Sequence, residues 1–158
     1  MTTPYLLTAS TVLTARPEDA YDALVDAPLE ELLGDRSGPI PPVRECRGQD
    51  GAWGHVGQTR TIVLGDGGTI LETLVAADRT TRDYRYRLAE ITGPMKALVR
   101  GVDGRFSFEP AGEGTAVTWT WNVHPTNGVV RLLMPVFNVF WQQAARKAFA
   151  RLGDRLAA

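Results

Sequence analysis

The chain has 158 residues, 44% of them hydrophobic, with 17 basic and 18 acidic side chains and a formal net charge of −1. That length favours a single domain over 1–158, and the near-neutral charge argues against a general electrostatic attraction to nucleic acid. The lone cysteine, Cys46, has no partner for an internal disulfide; with no basic-then-apolar leader and no apolar run near the ~18 residues of a membrane span, it points to a cytoplasmic protein without stable membrane insertion.

Residues 6–14, rich in Thr, Val and Leu, read as a first strand. Pro17 suits the first position of a helix with Glu18 and Asp19 in its first turn, and Ala20, Tyr21, Leu24 and Val25 supply the apolar face. Pro28 opens a second short helix carrying Leu29, Leu32 and Leu33, which Gly34 ends. Gly38-Pro39-Ile40-Pro41-Pro42 cannot be regular structure. Strands then follow at 43–48, 57–64, 69–77, 83–91, 98–109 and 115–123. Gly65-Asp66-Gly67-Gly68 gives a strong hairpin signal, and Thr92-Gly93-Pro94 breaks the chain again.

From Asn127 onward the pattern changes. Val129, Leu132, Leu133, Val136, Phe137, Phe140, Trp141, Ala144, Ala145, Ala148, Phe149, Leu152 and Leu156 recur at i+3/i+4 spacing, the mark of an amphipathic helix. A helix of about 30 residues is ~45 Å long, enough to lie across a curved sheet. Pro135 removes a backbone donor, so a kink or a late helix start is expected there. This segment carries Arg131, Arg146, Lys147, Arg151 and Arg155 against Asp154. Cations solvating the outer face and the helix C-terminus explain that bias, and an anionic membrane surface is the other reading. Strands joined by short turns, with helices at the chain ends, predict an α+β fold whose antiparallel sheet of six to seven strands is covered by the long helix.

The order of elements resembles the helix-grip fold of the START/Bet v 1-like superfamily, and within it the bacterial polyketide cyclase/dehydrase-like (SRPBCC) proteins. The residues that carry the resemblance are Ala15-Arg16-Pro17-Glu18-Asp19-Ala20-Tyr21, Val56-Gly57-Gln58-Thr59-Arg60-Thr61, Gly65-Asp66-Gly67-Gly68, Glu72, Tyr84-Arg85-Tyr86, Gly93-Pro94 and the terminal helix. It covers nearly the whole chain and implies a single ligand-binding domain with a cavity between sheet and helix, open near the two glycine loops. The family includes cyclases, dehydratases and lipid or hormone binders, so fold alone does not choose among them. Plant abscisic-acid receptors share the layout, but their Ser-Gly-Leu-Pro-Ala-type and His-Arg-Leu-type loop motifs are replaced here by Gly65-Asp66-Gly67-Gly68 and Gly93-Pro94-Met95, which argues against a hormone receptor.

Strand alternation assigns faces. Val117, Trp119, Trp121 and Val123 share one side of the last strand and are expected inside; so are Tyr84, Tyr86 and Leu88. The same rule places Arg60, Ile62 and Leu64 inside, and Leu98, Arg100, Val102, Phe106 and Phe108 as well, unless a bulge intervenes. Both faces of 70–76 are apolar, and it is the resemblance that turns Ile70 and Glu72 inward, as it turns Phe140, Ala144 and Ala148 of the helix. The expected ligand-contacting set is therefore Arg60, Ile62, Leu64, Ile70, Glu72, Tyr84, Tyr86, Leu98, Arg100, Trp119, Trp121, Phe140, Ala144 and Ala148.

Glu72, Arg60 and Arg100 on an aromatic face have three readings. They orient the polar group of a ligand; or Glu72 is a general base with an arginine stabilising an enolate and Tyr86 as acid; or they form a structural ion pair. The tryptophans either stack on a flat ligand or fill the core, and the alanines either leave volume or pack closely against those rings. His55, His124 and Cys46 lack metal-ligand spacing, and no nucleophile elbow or phosphate loop is present, so no metal or cofactor is expected. The leading expectation is a binder of a small hydrophobic or aromatic molecule. The alternatives are a cofactor-independent polyketide cyclase or dehydratase and a helper acting through a partner.

Overall fold

The computed structural model describes residues 2–158. Strands β1 (Tyr5–Leu13), β2 (Val43–Arg47), β3 (Thr59–Leu64), β4 (Thr69–Asp78), β5 (Asp83–Ala89), β6 (Val99–Ala111) and β7 (Gly114–Pro125) form one seven-stranded sheet in the order β1-β7-β6-β5-β4-β3-β2. Every neighbouring pair is antiparallel. Short turns join β3 to β4, β4 to β5 and β6 to β7, and longer loops over 48–58 and 90–98 complete the meander; Ala111 pairs with Gly114, and Gly112 takes the left-handed φ of 58° inside that turn.

β1 joins β7, so the first two strands lie on opposite edges and the chain between them must cross the open side of the sheet. Helices α1 (Pro17–Asp26) and α2 (Leu29–Leu32) make that crossing. A 3₁₀ turn at Pro94–Ala97 separates β5 from β6. The β3–β4 turn and the loop after β5 meet backbone to backbone: a Cβ on Gly93 would lie 2.7 Å from the Cα of Gly68, and Gly93 has φ 79°. Glycine is required at this contact by both conformation and space.

The terminal segment is two helices, α3 (Gly128–Leu132) and α4 (Met134–Ala157). Asn127 caps α3, its side chain accepting from the Val130 N–H at 2.9 Å. Pro135 has no N–H to give to Arg131, and the Val136 and Phe137 N–H groups both turn to the Leu133 carbonyl. The long helix therefore starts late. Its core face is Met134, Phe137, Trp141, Ala144, Ala145, Ala148, Phe149 and Leu152. At about 1.5–3 kcal/mol per large buried side chain, this face holds α4 to the sheet, completing the helix-grip arrangement.

The i+3/i+4 pattern puts Val129, Leu132, Leu133 and Val136 on that same core side, and the structure corrects this: they are 70%, 78%, 52% and 59% exposed. The break at Leu133 takes α3 out of phase with α4, and Val136 lies about 200° around the helix from Met134.

Candidate functional site

Between the sheet and α4 lies a cavity of about 110 Å³. The sheet contributes Val43, Arg60, Ile62, Leu64, Ile70, Glu72, Tyr84, Tyr86, Leu88, Phe106, Trp119 and Trp121; α4 contributes Trp141, Ala144, Ala148, Phe149 and Leu152. The remaining wall is the crossing segment, with Leu29, Leu33, Asp35, Ile40 and Pro41 among its residues, and Met95 of the 3₁₀ turn.

Three expected residues stand elsewhere. Arg100 is exposed on the outer side of the sheet, its guanidinium reaching the Thr126 carbonyl at 3.4 Å. The β6–β7 register shifts between Val99 and Gly101, and this bulge puts Val99 inside, 1% exposed, and turns Arg100 out. Leu98 lies before β6 begins, as the cap of the 3₁₀ turn, and Met95 reaches the cavity instead. Phe140 is half-buried and covers Gly38, where any side chain would collide with its ring. Trp141, one residue or about 100° further round α4, takes the inward position.

Two polar groups are built into the aromatic wall. Arg60 and Glu72 are directly paired across β3 and β4, and the Arg60 Nε–H donates to Glu72 Oε1 at 2.6 Å with the two residues 7% and 3% exposed. The guanidinium also lies 3.9 Å from the centroid of the Trp53 ring, and the Trp53 indole N–H donates to the Tyr84 hydroxyl at 2.8 Å. In the second group the Trp119 and Trp121 indole N–H groups donate to the Tyr86 hydroxyl at 2.8 and 2.7 Å. Phe106 stacks on Trp119 with centroids 5.0 Å apart and planes 13° from parallel.

Burial pushes the Glu72 carboxyl above its ordinary range, against the opposing charge and hydrogen bond of Arg60. Burial also drives the Tyr84 and Tyr86 phenols far above theirs, so both stay protonated at neutral pH. The wall can thus stack a flat molecule and offer neutral hydrogen bonds, with one ion pair whose charges cancel. No group of three His, Cys, Asp or Glu side chains suited to a metal stands together among the described residues.

Sequence reasoning missed Trp141, Phe149, Leu152, Met95 and the crossing segment as cavity residues, and Trp53, which touches Arg60 and Tyr84 without lining the cavity. Trp141 had a signal: it shares the 141/144/148/152 stripe with the alanines. Trp53 and residues 33–41 sit in irregular structure, where no period marks an inward side chain.

No helix among the described residues is long and apolar enough to cross a membrane. No curated protein matches the chain significantly in sequence. Solved structures do match in fold. Ara h 8.0201 is 18% identical with a TM-score of 0.68, covering 98% of each chain. TTHA0849 from Thermus thermophilus is 20% identical with a TM-score of 0.66, covering 97% of each. Ginseng major latex-like protein 151 from Panax ginseng is 17% identical with a TM-score of 0.61, covering 92% of this chain and 99% of that one. A family model matches residues 6–157, from the first strand through the end of α4, and by it the chain belongs to the polyketide cyclase / dehydrase and lipid transport family.

Proposed function

We propose that the protein binds one small, flat, mostly apolar molecule between the sheet and α4. The observation that carries this reading is the unfilled volume of about 110 Å³ walled by Tyr84, Tyr86, Phe106, Trp119, Trp121 and Trp141. A filled core would leave no such space at ordinary packing density. An apolar cavity of about 150 Å³ takes up benzene, whereas pockets enclosing drug-sized ligands run to roughly 300–1,000 Å³. The volume here suits about one ring, and anything larger requires the wall to move. The Arg60–Glu72 pair meets the cavity on its sheet side, as the charged feature of an otherwise aromatic and aliphatic wall.

The alternative is a cofactor-independent cyclase or dehydratase with Glu72 as base, and the family description and the raised Glu72 carboxyl favour it. Arg60, engaged with Glu72, remains its candidate oxyanion partner, and Arg100 drops out of that role. Tyr86, whose hydroxyl accepts two indole protons and whose phenol is pushed far up by burial, is a poor acid.

Titration with single-ring aromatics, read by quenching of the tryptophans in the wall, tests the binding reading. Native mass spectrometry of freshly purified protein tests it independently through a retained small molecule. No saturable quenching at millimolar ligand and no retained mass would sink it. Glu72→Gln separates the rivals: retained affinity with loss of turnover of a poly-β-ketone supports the enzyme, and affinity and turnover both unchanged make the ion pair structural.

A further inference from the structure

The chain has four tryptophans, and three of their indole N–H groups end on tyrosine hydroxyls: Trp53 on Tyr84, and Trp119 and Trp121 on Tyr86. The fourth does not. Trp141 is 1% exposed, and its Nε1–H meets no acceptor among the described residues. Buried polar groups are nearly always paired, so this orphaned donor on a cavity-lining residue calls for a partner from outside the protein, reached as the wall shifts to admit it.

Its surroundings define that partner. Trp141 sits on α4 beside Ala144 and lies over Trp119 and Trp121, with ring centroids 5.0 and 5.9 Å away. The Tyr86 hydroxyl accepts two indole protons and its own O–H finds no acceptor among the described residues, so it is a second free donor on the same wall. The carboxylates of the lining, Glu72 and Asp35, are each taken by an arginine, Arg60 and Arg151. The tryptophan-rich wall therefore gives protons and accepts none, and Arg60, the cation of the lining, is already neutralised by Glu72, so nothing favours an anion.

On the reading that this cavity binds a small aromatic molecule, we propose that Trp141 fixes the ligand's orientation by donating its Nε1–H to an uncharged acceptor, a carbonyl, ether oxygen or ring nitrogen. The ligand's ring then lies along Trp119 and Trp121, with its acceptor turned toward α4. Removing this N–H breaks no hydrogen bond within the protein, so Trp141 can be tested more cleanly than Tyr86, whose loss would strand two buried indole donors.

Acetophenone and ethylbenzene, nearly equal in shape and different in one acceptor, are the probes. In ¹H–¹⁵N spectra of the wild-type protein, acetophenone is expected to move the Trp141 indole proton downfield, and ethylbenzene is not. Trp141→Phe is expected to weaken acetophenone about three- to tenfold, the range of one ordinary hydrogen bond, while ethylbenzene changes less than about twofold. Equal weakening of both probes, or equal indole shifts from both, overturns the anchor and leaves the binding reading standing. If neither probe binds at millimolar concentration, the anchor falls, and the binding reading falls with it when native mass spectrometry also finds no retained molecule. Should Trp141→Phe not fold, the wild-type spectra, assigned through bonds and NOEs, decide alone.

Discussion

Arg60→Met leaves a buried carboxylate without its cation, and the structure fixes how the cost should depend on pH. Glu72 is 3% exposed and its one hydrogen bond is to Arg60, at 2.6 Å. Removing one partner of a buried pair costs about 3–5 kcal/mol. In a chain of this length, at roughly 2–4 °C per kcal/mol, that lowers Tm by about 6–20 °C. Burial already holds the Glu72 carboxyl above its unfolded value, and losing Arg60 raises it further. The folded state then keeps the proton to higher pH than the unfolded chain does. The group's contribution is fully present below the unfolded carboxyl range, near 4.3, and is lost as pH rises through the folded value. Thermal unfolding by circular dichroism should therefore show a large deficit at pH 8 that shrinks at pH 5. The lost contact with the Trp53 ring adds a pH-independent remainder of about 1 kcal/mol. Arg60→Met/Glu72→Leu should lose the pH dependence and come within about 1 kcal/mol of wild type at both pH values, because replacing a whole buried pair by apolar groups is close to neutral while the Trp53 contact stays lost. An equal deficit at pH 5 and pH 8 would refute the argument.

Gly104→Ala should destabilise by more than about 2 kcal/mol in urea melts, because the added Cβ would collide with the Tyr86 ring and strand the Trp119 and Trp121 donors; a change under about 0.5 kcal/mol contradicts the packing. Leu132→Ser should shift stability by no more than about 0.5 kcal/mol, since Leu132 is 78% exposed; a loss of about 2 kcal/mol would restore it to the core side. The Cys46 thiol, pushed by burial up to about 11, should react slowly with Ellman's reagent at pH 8 and quickly once urea unfolds the chain.

Strand faces were legible where pairing is regular. Arg60, Ile62 and Leu64 on β3, Tyr84 and Tyr86 on β5, and Trp119 and Trp121 on β7 all turn to the cavity, because a period of two carries through an unbroken ladder. Arg100 was misread because one bulge at Val99–Gly101 reverses every face before it; Gly101 was the cue, since glycine inside a strand often marks a bulge, but it does not tell which face follows. Phe140 and the four exposed residues of 129–136 failed for a related reason. Helix phase is set by where the helix begins, and the break at Leu133 restarts it. Pro135 disclosed that a break would come and could not disclose the new phase. The crossing segment was invisible as a wall because its inward residues follow no period, although it must span the sheet from edge to edge.

Whether the alanines of α4 border free space or a tightly filled core is decided by the sign of one substitution. Ala148 and Ala145 are both buried on the inner face of α4, yet only Ala148 lines the cavity. Leucine at either position adds three carbons. At 148 they enter open volume and bury apolar surface worth about 0.8 kcal/mol per carbon, less roughly 0.5–1 kcal/mol of side-chain entropy. A net gain of about 1–2 kcal/mol is expected. At 145, which is 0% exposed and faces filled structure, the same carbons overpack and should cost about 1–3 kcal/mol or more. The stabilised Ala148→Leu protein should also bind single-ring aromatics more weakly, since the added side chain and the ligand compete for about 110 Å³. Stability and binding then move in opposite directions at 148, which a close-packed interior cannot produce. If Ala148→Leu instead loses stability as Ala145→Leu does, and aromatic binding is unchanged, the space beneath α4 is not where the ligand sits.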